Sequence, residues 1–284
     1  MFQYAAGRAL SLRLALPLHA DLSWFLQRFS KATTPREYAL GVFTLPLKVS
    51  TTSASASTPL RSLLTALRKR LHRWPQLPLH LLSHHILEPH FHYWSGWESL
   101  QRPCILSGYW QSWRYFHQYA DIIRQDFTFP GLTHAALPIR EAIESATNSI
   151  SLHIRRGDYV NNATTAFLHG IEIINYYKKS LLHFRSIDAR ATVFVFSDDP
   201  DWAKTNFCSK GLPYTVVSKD TGPLDDMQLM SLCTHHIIAN SSFSWWAAWL
   251  SSQQGQTLAP ARWFTDHAIN TQDLCPPAWL RISA

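Results

Sequence analysis

The chain reads as an α/β protein built on a parallel sheet, and three observations carry that reading. Ile150, Leu152 and Ile154 alternate with Ser151 and His153 at the period of a strand. Downstream, strand-like segments at 192–196, 213–217 and 236–239 take turns with helix-like segments at 201–207, 225–232 and 242–250. Strands that alternate with helices pair in parallel, because each helix carries the chain back to the starting edge of the sheet. The third observation is capping: Asp199 stands before Pro200 at one handover, and Ser241 and Ser242 stand at another. A length of 284 residues can bury a full core and fits two domains of ordinary size, expected here as 1–148 and 149–284.

The N-terminal half is less regular. Residues 2–16 predict a helix with Arg8 and Arg13 on its polar side, and Pro17 stops it before a short strand near 18–20. Residues 48–59 form a Ser/Thr/Ala tract without periodicity, read as a surface loop. Over 61–74, Leu64, Leu67, Leu71 and Trp74 recur at helical spacing, with Arg61, Arg68, Lys69, Arg70 and Arg73 elsewhere around the wheel. Such a basic amphipathic helix packs on a core with its charges solvated, or lies on a membrane surface or a partner. Residues 75–97 are rich in Pro, His and aromatics, but His84, His85, His90 and His92 have no nearby Cys or spaced carboxylates to complete a metal site. In the Gly108, Tyr109, Trp110, Gln111, Ser112, Trp113 run, the aromatics suit either core packing or the face of a sugar.

Composition narrows the function classes. With 46% hydrophobic and 16% charged residues the chain is globular rather than disordered. The most apolar candidate for a membrane span, 237–250, is broken by Asn240, Ser241, Ser242 and Ser244, so no span is expected. Arg8 and Arg13 interrupt the first twenty residues and leave no secretory h-region. The four cysteines, Cys104, Cys208, Cys233 and Cys275, stand far apart, so neither a zinc site nor a disulfide framework is indicated, and a cytoplasmic location is expected. A net charge of +7 implies anionic company: nucleic acid, anionic lipid or a diphosphate ligand.

The densest chemical signal is at 150–160. Arg155 and Arg156 appear where the strand must end, followed by Gly157 and Asp158. Ligands of open α/β sheets gather at the carboxyl ends of strands, and an arginine fork matches phosphate geometry at any working pH. A solvated arginine pair with an aspartate partner reads the same residues without a ligand. A second signal is the run from Asn240 to Trp246, where a strand hands over to a helix. Small hydroxyl residues there cap the helix, and with free backbone N–H groups they also make an anion site. Trp245, Trp246 and Trp249 are read as packing residues. Asp199-Pro200-Asp201 matches a manganese-binding Asp-x-Asp pattern, but Pro200 and Trp202 favour a helix start capped by Asp199.

Taken together, the blocks at 1–10, 108–112, 153–159, 196–199, 226–230 and 240–246 resemble the α-1,2-fucosyltransferases, glycosyltransferase family 11, in its bacterial form. The His-x-Arg-Arg-x-Asp block is shared with α-1,6- and protein O-fucosyltransferases, whereas the Phe-Ser-Trp-Trp and Phe-Gln-Tyr-Ala-Ala-Gly-Arg blocks are more specific. The resemblance implies a GT-B-like pair of Rossmann-type domains facing a cleft. Residues 1–148 would form the acceptor side and 149–284 would bind GDP-fucose. By position, Arg155 would bind the β-phosphate, while His153, Arg156 and Asp158 would shape that site. Asp198 would sit near the nucleotide, and Ser241, Ser242 and Phe243 would line the phosphates or ribose. Arg155 and Asp158 are the catalytic candidates, Asp158 serving either as base or as an arginine partner. The family usually carries a short strand and a glycine-rich turn before the Met-Phe-Gln-Tyr block. The N-terminal domain is therefore expected to lack its first strand and that loop.

The activity so implied is inverting transfer of fucose from GDP-β-L-fucose to the 2-hydroxyl of a terminal galactose, with no metal and no other cofactor. Its partners would be GDP-fucose, a galactose-terminated glycan and an anionic membrane touched peripherally at its cytoplasmic face. Three rivals stand beside it: an α-1,6-type transferase, an inactive GDP-sugar-binding remnant, and a basic nucleic-acid binder, for which no recognition motif is present.

Overall fold

The structure is a computed structural model that describes residues 1–26, 37–51, 85–155, 163–264, 266 and 268–284. The chain divides into two compact units, Met1–Thr128 and Phe129–Ala284. The division falls ahead of the 148/149 boundary read from sequence. Residues 129–148 belong with the second unit because Thr133 is bound there by Asp225, through its N–H at 3.0 Å and its hydroxyl at 2.6 Å.

In the first unit, α1 (Phe2–Leu14) buries Phe2, Tyr4, Ala5, Ala6, Ala9 and Leu10. Ala15 ends it in the left-handed conformation, and the Ala15 and Leu16 N–H groups close back on Leu12 and Ser11. Arg8 and Arg13 are not simply solvated. Arg8 Nε pairs with Asp126 at 2.9 Å, and Arg13 Nη2 donates to the Trp97 and Leu100 carbonyls at 2.7 and 3.3 Å. Two parallel pairs follow: β1 (Leu18–Asp21) with β2 (Leu47–Ser50), and β3 (His85–Leu87) with β4 (Ile105–Ser107). β2 corrects the loop expected at 48–59: Lys48, Val49 and Ser50 pair with His19, Ala20 and Asp21. Val49 is exposed, so the strand shows no alternating apolar face in sequence. After β4 come α2 (Ala120–Asp126) and an aromatic core in which the Trp97 and Trp110 rings lie 4.8 and 5.3 Å from Tyr115.

The second unit contains α3 (Leu137–Ser145), β5 (Ser149–Ile154), α4 (Ala163–Ile187), β6 (Thr192–Ser197) and α5 (Pro200–Asn206). Then follow β7 (Tyr214–Val216), α6 (Pro223–Leu232), β8 (His235–Ile237), α7 (Ser242–Leu250), β9 (Thr257–Pro260) and β10 (Leu280–Ile282). The six strands pair in parallel in the order β10-β9-β8-β5-β6-β7. Counted from β5, this is the 3-2-1-4-5-6 order of a doubly wound Rossmann sheet, which reverses direction between β5 and β8. The α/β class and the parallel sheet are as the sequence predicts.

Both faces of β5 are covered. Ile150, Leu152 and Ile154 pack with Tyr176, Tyr177, Leu181 and Phe184 of α4, each buried side chain of this size contributing roughly 1.5–3 kcal/mol. The opposite face carries Ser149, Ser151 and His153, which are also buried. Buried polar atoms need partners, and each has one. Ser149 Oγ accepts from the Thr234 N–H at 3.0 Å, Ser151 Oγ meets His236 Nδ1 at 2.8 Å, and His153 Nδ1 meets Ser244 Oγ at 3.0 Å. A column of polar pairs thus runs along the strand toward its carboxyl end. No helix among the described residues is long and apolar enough to cross a membrane. The basic segment 61–74 lies outside the described residues.

Candidate donor-binding site

The column ends where the sheet order reverses, the place where open α/β sheets bind ligands. Register fixes who is adjacent there. Ile154 pairs with Ser197, so the next residues, Arg155 and Asp198, leave neighbouring strands side by side. On the other flank Leu152 pairs with Ile237, and the same register carried three residues further sets Arg155 beside Asn240.

α7 begins at this edge because Ser241 caps it: its Oγ accepts from the Phe243 N–H at 3.3 Å. Ser241 is buried, Ser242 exposed and Phe243 half-buried, its ring 5.5 Å from that of His153. Asn240 Nδ2 donates to the Trp263 carbonyl at 3.2 Å, tying the turn down. Ser244 is the junction between strand and helix. Its Oγ accepts from the Ala239 N–H at 3.2 Å, lies 3.4 Å from the Ser241 carbonyl, and meets His153 on its remaining side. The Tyr177 hydroxyl donates to the His153 carbonyl at 2.8 Å, fixing the same residue from the α4 face.

Burial lowers the His153 pKa to about 4; Asp198 opposes that shift and Arg155 adds to it. His153 is therefore neutral at physiological pH, and the positive charge of this edge comes from Arg155 and the N-terminus of α7. A guanidinium beside a helix N-terminus, whose first N–H groups are only partly taken up by the Ser241 cap, is an arrangement that can receive an anion.

The structure brings together His153, Arg155, Asp198, Ser241, Ser242 and Phe243, as read from sequence. Arg156 and Asp158 lie outside the described residues. Asp199 caps α5, accepting from the Trp202 N–H at 3.1 Å, and Asp201 pairs with Lys219 at 2.7 Å, so the Asp-x-Asp run serves a helix start. Trp245, Trp246 and Trp249 are buried, and Trp245 Nε1 donates to Leu274. Ser244 lies in the run singled out at 240–246 but was not read as a site residue, and Tyr177 escaped the sequence reading. Ser244, three residues after a serine cap, could have been flagged as facing the strand, while nothing marks Tyr177. Among the described residues no group of three or more His, Cys, Asp or Glu is gathered as metal ligands. The His90 and His92 rings stack on each other at 3.6 Å.

A doubly wound sheet with a guanidinium and a helix N-terminus at its reversal point is a layout shared by nucleotide-binding α/β proteins. The sequence matches the family model of glycosyl transferase family 11 over residues 45–283, and the chain belongs to that family. It is 40% identical to the alpha-1,2-colitosyltransferase of Escherichia coli over 179 residues, covering 62% of this chain and 61% of the relative. It is 25% identical to galactoside alpha-(1,2)-fucosyltransferase 1 of Alouatta belzebul over 261 residues, covering 88% of this chain and 62% of the relative. The chain thus spans less than two thirds of the length of these relatives. Among solved structures it is similar to fucosyltransferase NodZ from Bradyrhizobium, at 14% identity and a TM-score of 0.47, with 87% of each chain covered.

Proposed function

We propose that this protein transfers L-fucose from GDP-β-L-fucose to the 2-hydroxyl of a terminal galactose, with inversion at the anomeric carbon. One observation carries the reading: Arg155, the neutral His153 and the capped N-terminus of α7 meet at the reversal point of the second unit. Breaking the sugar–phosphate bond leaves negative charge on GDP, and a fixed guanidinium with oriented N–H groups stabilises charge that grows in the transition state. Positive charge from these groups supports a mechanism that needs no metal. On this reading the second unit holds the donor through Arg155, Arg156, Asp198, Ser241, Ser242 and Phe243, with Asp158 as base or arginine partner. The first unit then serves the acceptor.

The deciding experiment is GDP release from GDP-fucose with a panel of galactosides, followed by linkage analysis of the product. An α-1,6 linkage would replace the α-1,2 reading, donor binding without turnover would mark an inactive remnant, and loss of activity to chelator with rescue by manganese would remove the metal-free mechanism. A second donor is favoured by a specific finding, since the 40% identical relative is named a colitosyltransferase. Colitose is fucose without its 3-hydroxyl, so a site built to bind that hydroxyl prefers fucose strongly, while an apolar site distinguishes the two weakly. Competition between GDP-fucose and GDP-colitose decides which sugar is native.

The net charge of +7 and the basic run at 61–74 support peripheral attachment to an anionic membrane at its cytoplasmic face. Sedimentation with anionic vesicles, comparing the intact chain with one in which Arg68, Lys69 and Arg70 become Gln, tests this. Negligible binding by both at low salt would dismiss it.

A further inference from the structure

The first unit holds a second locally over-determined place, at the carboxyl end of β4. Gly108 has φ +151° and Trp110 has φ +55°, so two of three successive residues sit in backbone regions that side chains disfavour. A half-buried carboxylate holds them there. Glu88 Oε2 accepts from the Tyr109 N–H at 2.7 Å and Oε1 from the Trp110 N–H at 2.9 Å. The amide of Gln3, 105 residues away, donates to the Gly108 carbonyl at 2.7 Å. Glycine is required at 108, because a Cβ there would stand 2.3 Å from Glu88 Cβ and 2.7 Å from Oε2. Trp110 is buried among Trp97 and Tyr115, which fixes the loop from inside.

All of this ordering converges on Tyr109, and Tyr109 itself is 69% exposed. A lone exposed aromatic is ordinary, but here the buried Trp110 beside it anchors the loop while a dedicated carboxylate fixes the Tyr109 backbone, so the exposed ring is held in one place rather than left to wander. Strained backbone of this kind concentrates where a ligand is held. A rigid tyrosine ring offers an apolar face with a polar tip. Among hexopyranoses, galactose matches it well: its axial 4-hydroxyl leaves the C3, C4 and C5 hydrogens on one face as a continuous apolar patch.

We propose that Tyr109 is an acceptor-binding residue that stacks on the terminal galactose, with Glu88 and Gly108 as its positioning residues. This rests on the galactoside reading above, so the test has an arm that does not require transfer. Binding of methyl β-galactoside and methyl β-glucoside is followed by saturation-transfer NMR on the wild type, Tyr109→Ala, Tyr109→Phe and Glu88→Gln, with thermal unfolding to verify folding. In parallel, KM for galactoside and for GDP-fucose is measured on each. Tyr109→Ala should weaken galactoside about tenfold and leave GDP-fucose unchanged, since one stacked ring contributes an effect of about this size. Tyr109→Phe should stay within about twofold, and Glu88→Gln should behave like Tyr109→Ala because one of the two acceptor oxygens becomes an NH2 that faces a backbone N–H it cannot accept from. Unchanged galactoside affinity in folded Tyr109→Ala, equal losses for donor and acceptor, or no preference for galactoside over glucoside would overturn the proposal. Tyr109-dependent galactoside binding without transfer would sustain it while defeating the proposed activity.

Discussion

The two units place polar groups under cover in opposite ways. In the second unit, Ser149, Ser151 and His153 sit two apart on one face of β5 and meet partners on β8 and α7 or just ahead of β8, so burial is shared among short side-chain pairs. In the first, one carboxylate does most of the holding: Glu88 directs both oxygens at two adjacent N–H groups of a strained loop, and Gln3 ties the Gly108 carbonyl beside them. A ladder built into a sheet is as rigid as the sheet and fails with it. A clamp on a loop can fail alone, leaving the fold intact. Substitutions in the two units should therefore separate global from local loss.

The largest effect is expected from a pair of glycines. A Cβ on Gly255 would stand 1.6 Å from the Thr234 carbonyl oxygen, which belongs to backbone just ahead of β8 and cannot yield without shifting the strand. Gly255→Ala should destabilise the second unit by more than about 3 kcal/mol, the upper range of overpacking. Gly108→Ala meets Glu88 Cβ at 2.3 Å in a loop rather than strand backbone, so it should push Glu88 aside and release the Tyr109 loop, destabilising the first unit by less than Gly255→Ala destabilises the second, about 1–3 kcal/mol. Denaturant unfolding followed by tryptophan fluorescence compares them; equal losses would erase the distinction between ladder and clamp.

Next in size is Arg155→Lys, which keeps the charge but loses the planar fork. Turnover should fall at least about a hundredfold, equivalent to about 2.7 kcal/mol, with folding unchanged. Near-normal turnover would detach Arg155 from the diphosphate. Ser244→Ala is smaller and strikes the junction of strand and helix. It strands the Ala239 N–H and His153 Nδ1 in a buried place, at a cost of about 1–3 kcal/mol, and should raise KM for the donor before it lowers kcat. A donor KM that does not move would make Ser244 a packing residue only.

The same contrast explains what the sequence could disclose. The candidate donor site was legible as a place in the fold because its parts are contiguous: a strand running into Arg155, and a strand running into the Ser241 cap, each a short motif at a fixed junction. α7 was read with its observed bounds, Ser242–Leu250, since cap, apolar run and end signal coincide. The clamp was illegible because Gln3, Glu88 and Gly108 are distant in sequence and joined only by folding. β9 and β10 went unread for another reason. At four and three residues, one closing on Pro260 and the other holding Arg281, they are too short for alternation to register. The polar face of β5 was read as an alternating strand, but alternation alone does not tell a solvated face from one covered by paired helices.

The smallest effect, a pH dependence, sharpens the description of the ladder itself. Burial lowers His153 to about 4 and His236 to about 3, while an unfolded chain protonates both near 6.5. Below about 6.5 the unfolded state therefore binds more protons, and stability must fall as pH falls, until each folded pKa is passed. Asp226 acts in the opposite sense. Burial raises it to about 6, so between 6 and 3.8 the folded state keeps a proton the unfolded state has lost, and acid favours folding there. His236 and His153 against Asp226 leave a difference of about one proton between pH 6 and 4, or about 1.4 kcal/mol lost per pH unit, and His235, lowered by burial and by His183, adds to the loss in the same sense. Replacing His236 by Gln keeps a polar partner for Ser151 but removes one titration, so the slope over that window should become shallower by about one proton, or about 1.4 kcal/mol per pH unit. Denaturant melts at pH 6.0, 5.5 and 5.0 measure it, and an unchanged slope in the variant would mean that His236 is not held neutral by the ladder.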